Sequence, residues 1–216
     1  MQALFPPWTN TVVPLGIVAI ATACVSAAVA PLIWVRTPYS TGVDDPPDQP
    51  IQFDHRHHVR DDGITCEYCH TSARRSRYAG VPSTSLCMGC HGQIWNDSPT
   101  LAPLRRSYAT GRPIAWARVH RLPEHVYFSH VAHVTRGVGC VTCHGRVDQM
   151  AQVLQVEPLT MEWCVDCHRD PDPRLRPNAA VADVEWQPRD APREVGRAVR
   201  QRLGVNPPTH CTGCHR

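Results

Sequence analysis

The pattern Cys-x-x-Cys-His occurs five times in this chain, at Cys66–His70, Cys87–His91, Cys140–His144, Cys164–His168 and Cys211–His215. This spacing is the attachment signal for c-type haem. The two thiols of each motif form thioethers with the porphyrin vinyls: Cys66 and Cys69, Cys87 and Cys90, Cys140 and Cys143, Cys164 and Cys167, Cys211 and Cys214. The histidine that follows, His70, His91, His144, His168 or His215, supplies one axial iron ligand. Paired zinc knuckles also use Cys-x-x-Cys, but they do not need a histidine directly after the second cysteine every time. The expected cofactor load is five haem c.

That load constrains the fold. Aromatic residues make up only 6% of the chain, and there are 21 prolines. So few large apolar side chains struggle to build a core. Five porphyrins would become the core, with the peptide wrapped round them. The expected fold class is a multihaem cytochrome c, mostly irregular, with short α-helices packed on haems. Ten of the eleven cysteines lie in the motifs, so no disulfide framework is available, and Cys24 reads as a small packing residue. Haem c is attached after export, which puts the motifs on the outer side of a bacterial inner membrane or an equivalent compartment. The formal charge of +3 omits two propionates per haem. All 22 basic residues are arginine. Arginine forks suit carboxylates such as propionates, although a codon bias explains the absence of lysine equally well. Nothing points to nucleic acid.

Met1 to Val35 carries no charged side chain. After an N-terminal tail (1–10), Thr11 to Val35 is long enough to cross a bilayer as one helix. Trp8 at one end, and Trp34 and Tyr39 at the other, sit where interfacial anchors would. Ala28-Val29-Ala30 resembles a signal-peptidase site, but a cleaved signal normally begins with positive charge. Ala21-Thr22-Ala23-Cys24 is a poor lipobox. The expectation is a retained single-pass helix with its C-terminal side outside, in the inner membrane. Ala19, Ala23 and Ala27 form a small-residue face that another membrane helix could approach.

Residues 36–52, rich in proline, read as a stiff linker. The haem domain is expected over 53–216, with an internal repeat. Phe53-Asp54-His55-Arg56-His57-His58 precedes the motifs at Cys66 and Cys87, giving a two-haem unit over 53–91. Phe128-Ser129-His130-Val131-Ala132-His133 precedes those at Cys140 and Cys164, giving a second over 128–168. The fifth motif, 211–215, lies outside the duplication. Leu101 to Pro123 is a connector. Val147, Met150, Val153 and Leu154 suggest a short amphipathic helix. Val195, Ala198, Val199 and Leu203 suggest another, stopped by Gly204.

An iron that only passes electrons needs a second axial ligand. Eight histidines lie outside the motifs. Two histidines three apart on one turn can reach different irons. His55, His58, His130 and His133 are therefore the distal candidates, with His120, just before the second repeat, as the fifth. His57 reads as a surface or propionate contact. His210 is constrained by the adjacent Cys211. His125 and His210, and Met88, Met150 or Met161 as a methionine ligand, remain alternatives to His120.

Phe-x-His-x-x-His followed by Cys-x-x-Cys-His resembles the class III multihaem cytochromes. Arg118-Val119-His120, Val126-Tyr127-Phe128-Ser129-His130, Gly139 to Met150, and Met161-Glu162-Trp163-Cys164 resemble the pentahaem cytochrome c subunit of alternative complex III. The resemblance implies a membrane-anchored relay working beside an iron–sulfur subunit, integral membrane subunits and a monohaem cytochrome c. Electrons from quinol oxidation in those partners would pass to a periplasmic cytochrome c, a copper protein or a terminal oxidase. A single-helix multihaem quinol dehydrogenase feeding a periplasmic reductase is the alternative. It normally carries its first haem nearer the membrane. A catalytic multihaem reductase needs an iron with an open position, which eight spare histidines do not require, so no catalytic residue is assigned.

Overall fold

The computed structural model describes residues 5–215, in two units divided after Gly42. Met1–Leu4 of the expected tail, and Arg216, lie outside the described residues.

The first unit is dominated by a helix over Thr9–Trp34, of 26 residues. At 1.5 Å per residue it is about 39 Å long, against roughly 30 Å of bilayer hydrocarbon. Its mean hydropathy over the most apolar window is 2.3, and none of that window is buried. The Thr9 hydroxyl donates to Pro6 O at 2.7 Å at its start. At its end the Arg36 guanidinium donates back to Leu32 O at 2.8 Å. The Trp34 and Tyr39 rings lie 4.9 Å apart. One further helical turn, Pro38–Thr41, stops at Gly42, whose φ of +74° suits glycine.

The second unit begins at Val43, inside the segment expected to be a linker. From there the chain is tied down rather than free. Asp44 N–H donates to Gln155 O at 2.9 Å. The Gln49 amide pairs with the Ala117 backbone in both directions, at 2.9 and 3.0 Å. Gln152 Nε2 donates to Pro47 O, and Ile51 is buried.

Short helices separated by irregular backbone make up the rest of the unit. Among the described residues there is no strand, only three isolated bridges: Val43 with Gln155, Val126 with His215, and Val138 with Leu175. The helices are Cys66–Cys69, Thr84–His91, Ala102–Thr110, His130–Val134, Val141–His144, Met161–Arg169 and Pro192–Leu203. The last of these matches its sequence signals. Pro192 opens it, and Gly204 at φ +58° closes it. Gly204 N–H bonds Gln201 O and Val205 N–H bonds Arg200 O, a Schellman closure. Gly196 presses on the Asp172–Arg174 turn, and a Cβ there would stand 1.6 Å from Asp172 O.

The helix expected from Val147 to Leu154 is not formed. The chain makes only a tight turn at Val147–Gln149. The Asp148 carboxylate, 1% exposed, accepts from Arg146 at 2.8 and 2.6 Å. The following residues bond to the Val43–Gln52 segment instead. Tertiary pairing has overridden a weak apolar period.

The apolar core among the described residues is small: Ile51, Ala73, Leu104, Val134, Leu175, Ala180, Val181 and Val199. A domain of this length held by eight such side chains, two of them alanine, needs another source of buried apolar surface.

Candidate functional site: the cysteine–histidine motifs

Each motif histidine carries its Nδ1 against a fixed partner. His70 Nδ1 lies 2.6 Å from Gly80 O, His91 Nδ1 3.1 Å from Ile94 O, and His168 Nδ1 2.7 Å from Pro208 O. His215 Nδ1 lies 3.3 Å from His125 O, and His144 Nδ1 lies 3.2 Å from His120 Nε2. A carbonyl can only accept, so Nδ1 carries the proton in the first four. Nε2 is left as the lone-pair nitrogen, the arrangement found in metal-ligating histidines.

Other imidazoles face these rings. An imidazole nitrogen bonds a transition metal at about 2.0 Å, with the ring centre roughly 1 Å behind it, so two axial imidazoles stand about 6 Å centre to centre. His58 and His91 are 6.1 Å apart, His133 and His168 6.0 Å, and His130 and His144 6.3 Å with planes only 5° apart. His125 and His215 stack at 5.4 Å. His55 neighbours His70 and His58, and its Nδ1 is buried with no hydrogen-bond partner. These residues fit haem. Among the described residues no three His, Cys, Asp or Glu side chains converge to hold a bare ion.

The two repeats build their histidine pairs alike. Phe53 meets His55 edge-on at 4.7 Å and His58 face-on at 4.3 Å. Phe128 meets His130 edge-on at 4.8 Å and His133 at 4.6 Å. His58 Nδ1 faces Asp54 O at 2.9 Å, and His133 Nδ1 faces Ser129 O at 2.8 Å, four residues back in both. His130 Nδ1 faces Arg77 O at 3.0 Å, which ties the second repeat to the first. The local backbone differs. His130–Val134 is an α-turn, whereas Arg56–Asp61 is a wider π-turn.

Burial pushes the His55 imidazole down to about 4 and His144 to about 3, and it lowers His120 and His133 as well. All four are neutral at pH 7, the form that ligates a metal. Burial also pushes the Cys143 thiol up to about 12.

His120 is placed differently from the other distal candidates. It stands at the Nδ1 edge of His144, with ring centres 4.3 Å apart and planes at 79°. Its Nε2 is engaged there, while the His130 ring lies parallel to that of His144 at 6.3 Å. His125 is the imidazole that faces the remaining motif histidine, His215. Nothing local to His125 announces this, because its partner lies 90 residues away. His57 is exposed and contacts Asp61 at 3.5 Å and Trp95. His210 is exposed, as is Met161.

The motifs touch in an order that is not their order in sequence. The Cys69 thiol neighbours Cys87, joining the first two motifs. The Cys66 and Cys140 thiols are neighbours. The same two motifs meet at Val181–Ala182, where Val181 O accepts from Cys140 N–H and Ala182 O from the Cys66 thiol. Cys143 neighbours Cys164 and Cys167, and Cys164 neighbours Cys214. The spatial order is second, first, third, fourth, fifth.

The sequence model described as cytochrome c7 and related cytochrome c matches residues 126–216. A curated relative, the menaquinone reductase multiheme cytochrome c subunit of Nitratidesulfovibrio vulgaris, is 37% identical over 98 residues. That stretch covers 45% of this chain and 46% of the relative, so the chain spans less than half of that protein. Over residues 126–216, the chain is thus similar to cytochrome c7 and related cytochromes c.

Proposed function

We propose that this chain is a membrane-anchored pentahaem cytochrome c that relays electrons and does no chemistry of its own. Haem c, when bound, supplies one-electron transfer at each motif. The observation that carries the reading is the set of three imidazole pairs 6.0–6.3 Å apart at neighbouring motifs, because a relay needs closed coordination and close neighbours. The ligand pairs are His55 with His70, His58 with His91, His130 with His144, His133 with His168, and His125 with His215. The Thr9–Trp34 helix is the retained anchor in the inner membrane, with the haem domain on the periplasmic side. Resemblance to the pentahaem subunit of alternative complex III supports partners that oxidise quinol: an iron–sulfur subunit, integral membrane subunits and a monohaem cytochrome c. The acceptor is then a periplasmic cytochrome c, a copper protein or a terminal oxidase.

A second reading is favoured by the name of the relative. A menaquinone reductase delivers electrons to quinone, so the same relay would run in the opposite direction. Purification from detergent-solubilised membranes, with identification of the co-purifying subunits, tests both. The first reading expects quinol to reduce the haems of the complex but not of the isolated chain. It also expects five haem additions in the intact mass, and no CO binding on reduction. Quinone reduction by the complex, with no reduction of its haems by quinol, would replace the first reading with the second. A chain without covalent haem would end both.

A further inference from the structure

Four of the five motif histidines set their Nδ1 against a backbone carbonyl, and His144 alone sets it against a second imidazole. We infer that His120 is a positioning residue for the third motif, accepting the Nδ1 hydrogen of His144 through Nε2 and lowering the potential of that iron. The inference rests on the relay reading above. It assigns His120 a role other than iron ligation.

The geometry separates the two imidazoles that meet His144. His130 lies parallel to it at 6.3 Å. His120 lies nearly perpendicular at 4.3 Å, with 3.2 Å between nitrogens, at the Nδ1 edge of the ring. If His144 Nε2 binds the iron, its Nδ1 must carry the proton. His120 Nε2 must then accept, and cannot bind a metal itself. The chain around His120 is built to hold it there. Arg118 Nε donates to His120 O at 3.0 Å, and Arg121 Nε donates to Arg118 O at 3.2 Å. Just upstream, Gln49 clamps the Ala117 backbone through two hydrogen bonds.

An imidazole nitrogen is a much stronger base than a peptide carbonyl oxygen. It draws the Nδ1 hydrogen further from His144 and leaves that ring more electron-rich. A more basic axial ligand stabilises the oxidised iron over the reduced one, so the potential falls. The proton stays on His144 Nδ1 in both oxidation states, and the step is one electron with no proton moved. The third motif is also the middle of the spatial order, so the effect separates the two ends of the chain by a low-potential centre.

The test is a spectropotentiometric titration of the full-length, haem-loaded chain in detergent, for the wild type, His120→Leu and His120→Gln. His120→Leu should raise one midpoint of five, leave the other four in place and keep every haem low-spin. His120→Gln offers a carbonyl acceptor like that of the other motifs. It should preserve the spectrum of that haem while raising its midpoint by less. Unmoved midpoints in both variants would overturn the inference. So would a high-spin, CO-binding haem in His120→Leu, which would make His120 a ligand. Should His120→Leu fail to accumulate, the midpoint shift in His120→Gln decides alone. Absence of covalent haem from the wild type would sink the relay reading. Five unmoved midpoints in a loaded chain would sink only the role of His120.

Discussion

An imidazole beside a haem motif can act through the metal or through the ring of the histidine that binds it, and sequence does not distinguish the two. His120 and His125 are five residues apart, on either side of Pro123. His120 has the more suggestive neighbours, an arginine on either side and a repeat beginning close behind. Yet it meets the edge of His144, whereas His125 stacks on His215 because Val126 bridges to His215 and Tyr127 N–H donates to Cys214 O at 2.8 Å. The distinction rests on contacts across about ninety residues, which no local pattern encodes. A ligand exchange follows from it. His125→Ala should turn one haem high-spin and CO-reactive, while His120→Ala should leave all of them low-spin. Absorbance of the reduced proteins with and without CO checks both, and the reverse result would restore His120 as the distal ligand. The Phe of each repeat was legible only as a marker of the motif. Its work is physical, since one face and one edge of a single ring fix two imidazoles in different planes.

At the scale of the element, ring planes become a spectroscopic quantity. The angle between two axial imidazoles governs how the d orbitals of a low-spin ferric iron split. Near-parallel rings give an ordinary rhombic EPR signal, and near-perpendicular rings give a signal with a single very large g value. The α-turn at His130–Val134 places His130 within 5° of His144, and the π-turn at Arg56–Asp61 sets His58 at 65° to His91. The oxidised protein should therefore show both signal types, and His58→Ala should remove the large-g component. A spectrum of one uniform rhombic type would contradict the turn geometry. Helix ends were readable where caps and stops were chemical, as at Pro192 and Gly204. They were not readable at Val147–Leu154, where Arg146 captures Asp148 and the chain turns to pair with residues 43–52. Glycine inside a helix costs about 1 kcal/mol relative to alanine, so nothing in the sequence recommends Gly196. Its contact with Asp172 O shows why it is there. Gly196→Ala should destabilise the domain by roughly 1–3 kcal/mol despite the better propensity, as overpacking does. A higher melting temperature for that variant would show that the helix can lift off the turn freely.

For the molecule as a whole, the repeat was visible in the sequence, but its consequence was not. Two Phe-x-His-x-x-His units suggest two haem pairs laid end to end in chain order. Instead the Arg77 carbonyl receives the His130 backbone and ring, and Val181–Ala182 receives Cys140 and Cys66. The first and third motifs are thereby joined, and the second is pushed to one end. This order makes a quantitative demand. Removing one electron from a haem adds a charge, and that charge raises the potential of neighbours in proportion to the inverse of distance and local dielectric constant. An end motif has one close neighbour and a middle motif has two. Cys87→Ser with Cys90→Ser removes the haem of the second motif, whose Cys87 neighbours Cys69 of the first. The remaining four haems should then titrate with one midpoint displaced. Cys211→Ser with Cys214→Ser should likewise displace one, that of the fourth motif, whose Cys164 neighbours Cys214. Spectropotentiometric titration of each four-haem variant against the wild type measures this. If loss of the second motif displaced two or more midpoints, it would lie inside the series, and the order second, first, third, fourth, fifth would be wrong.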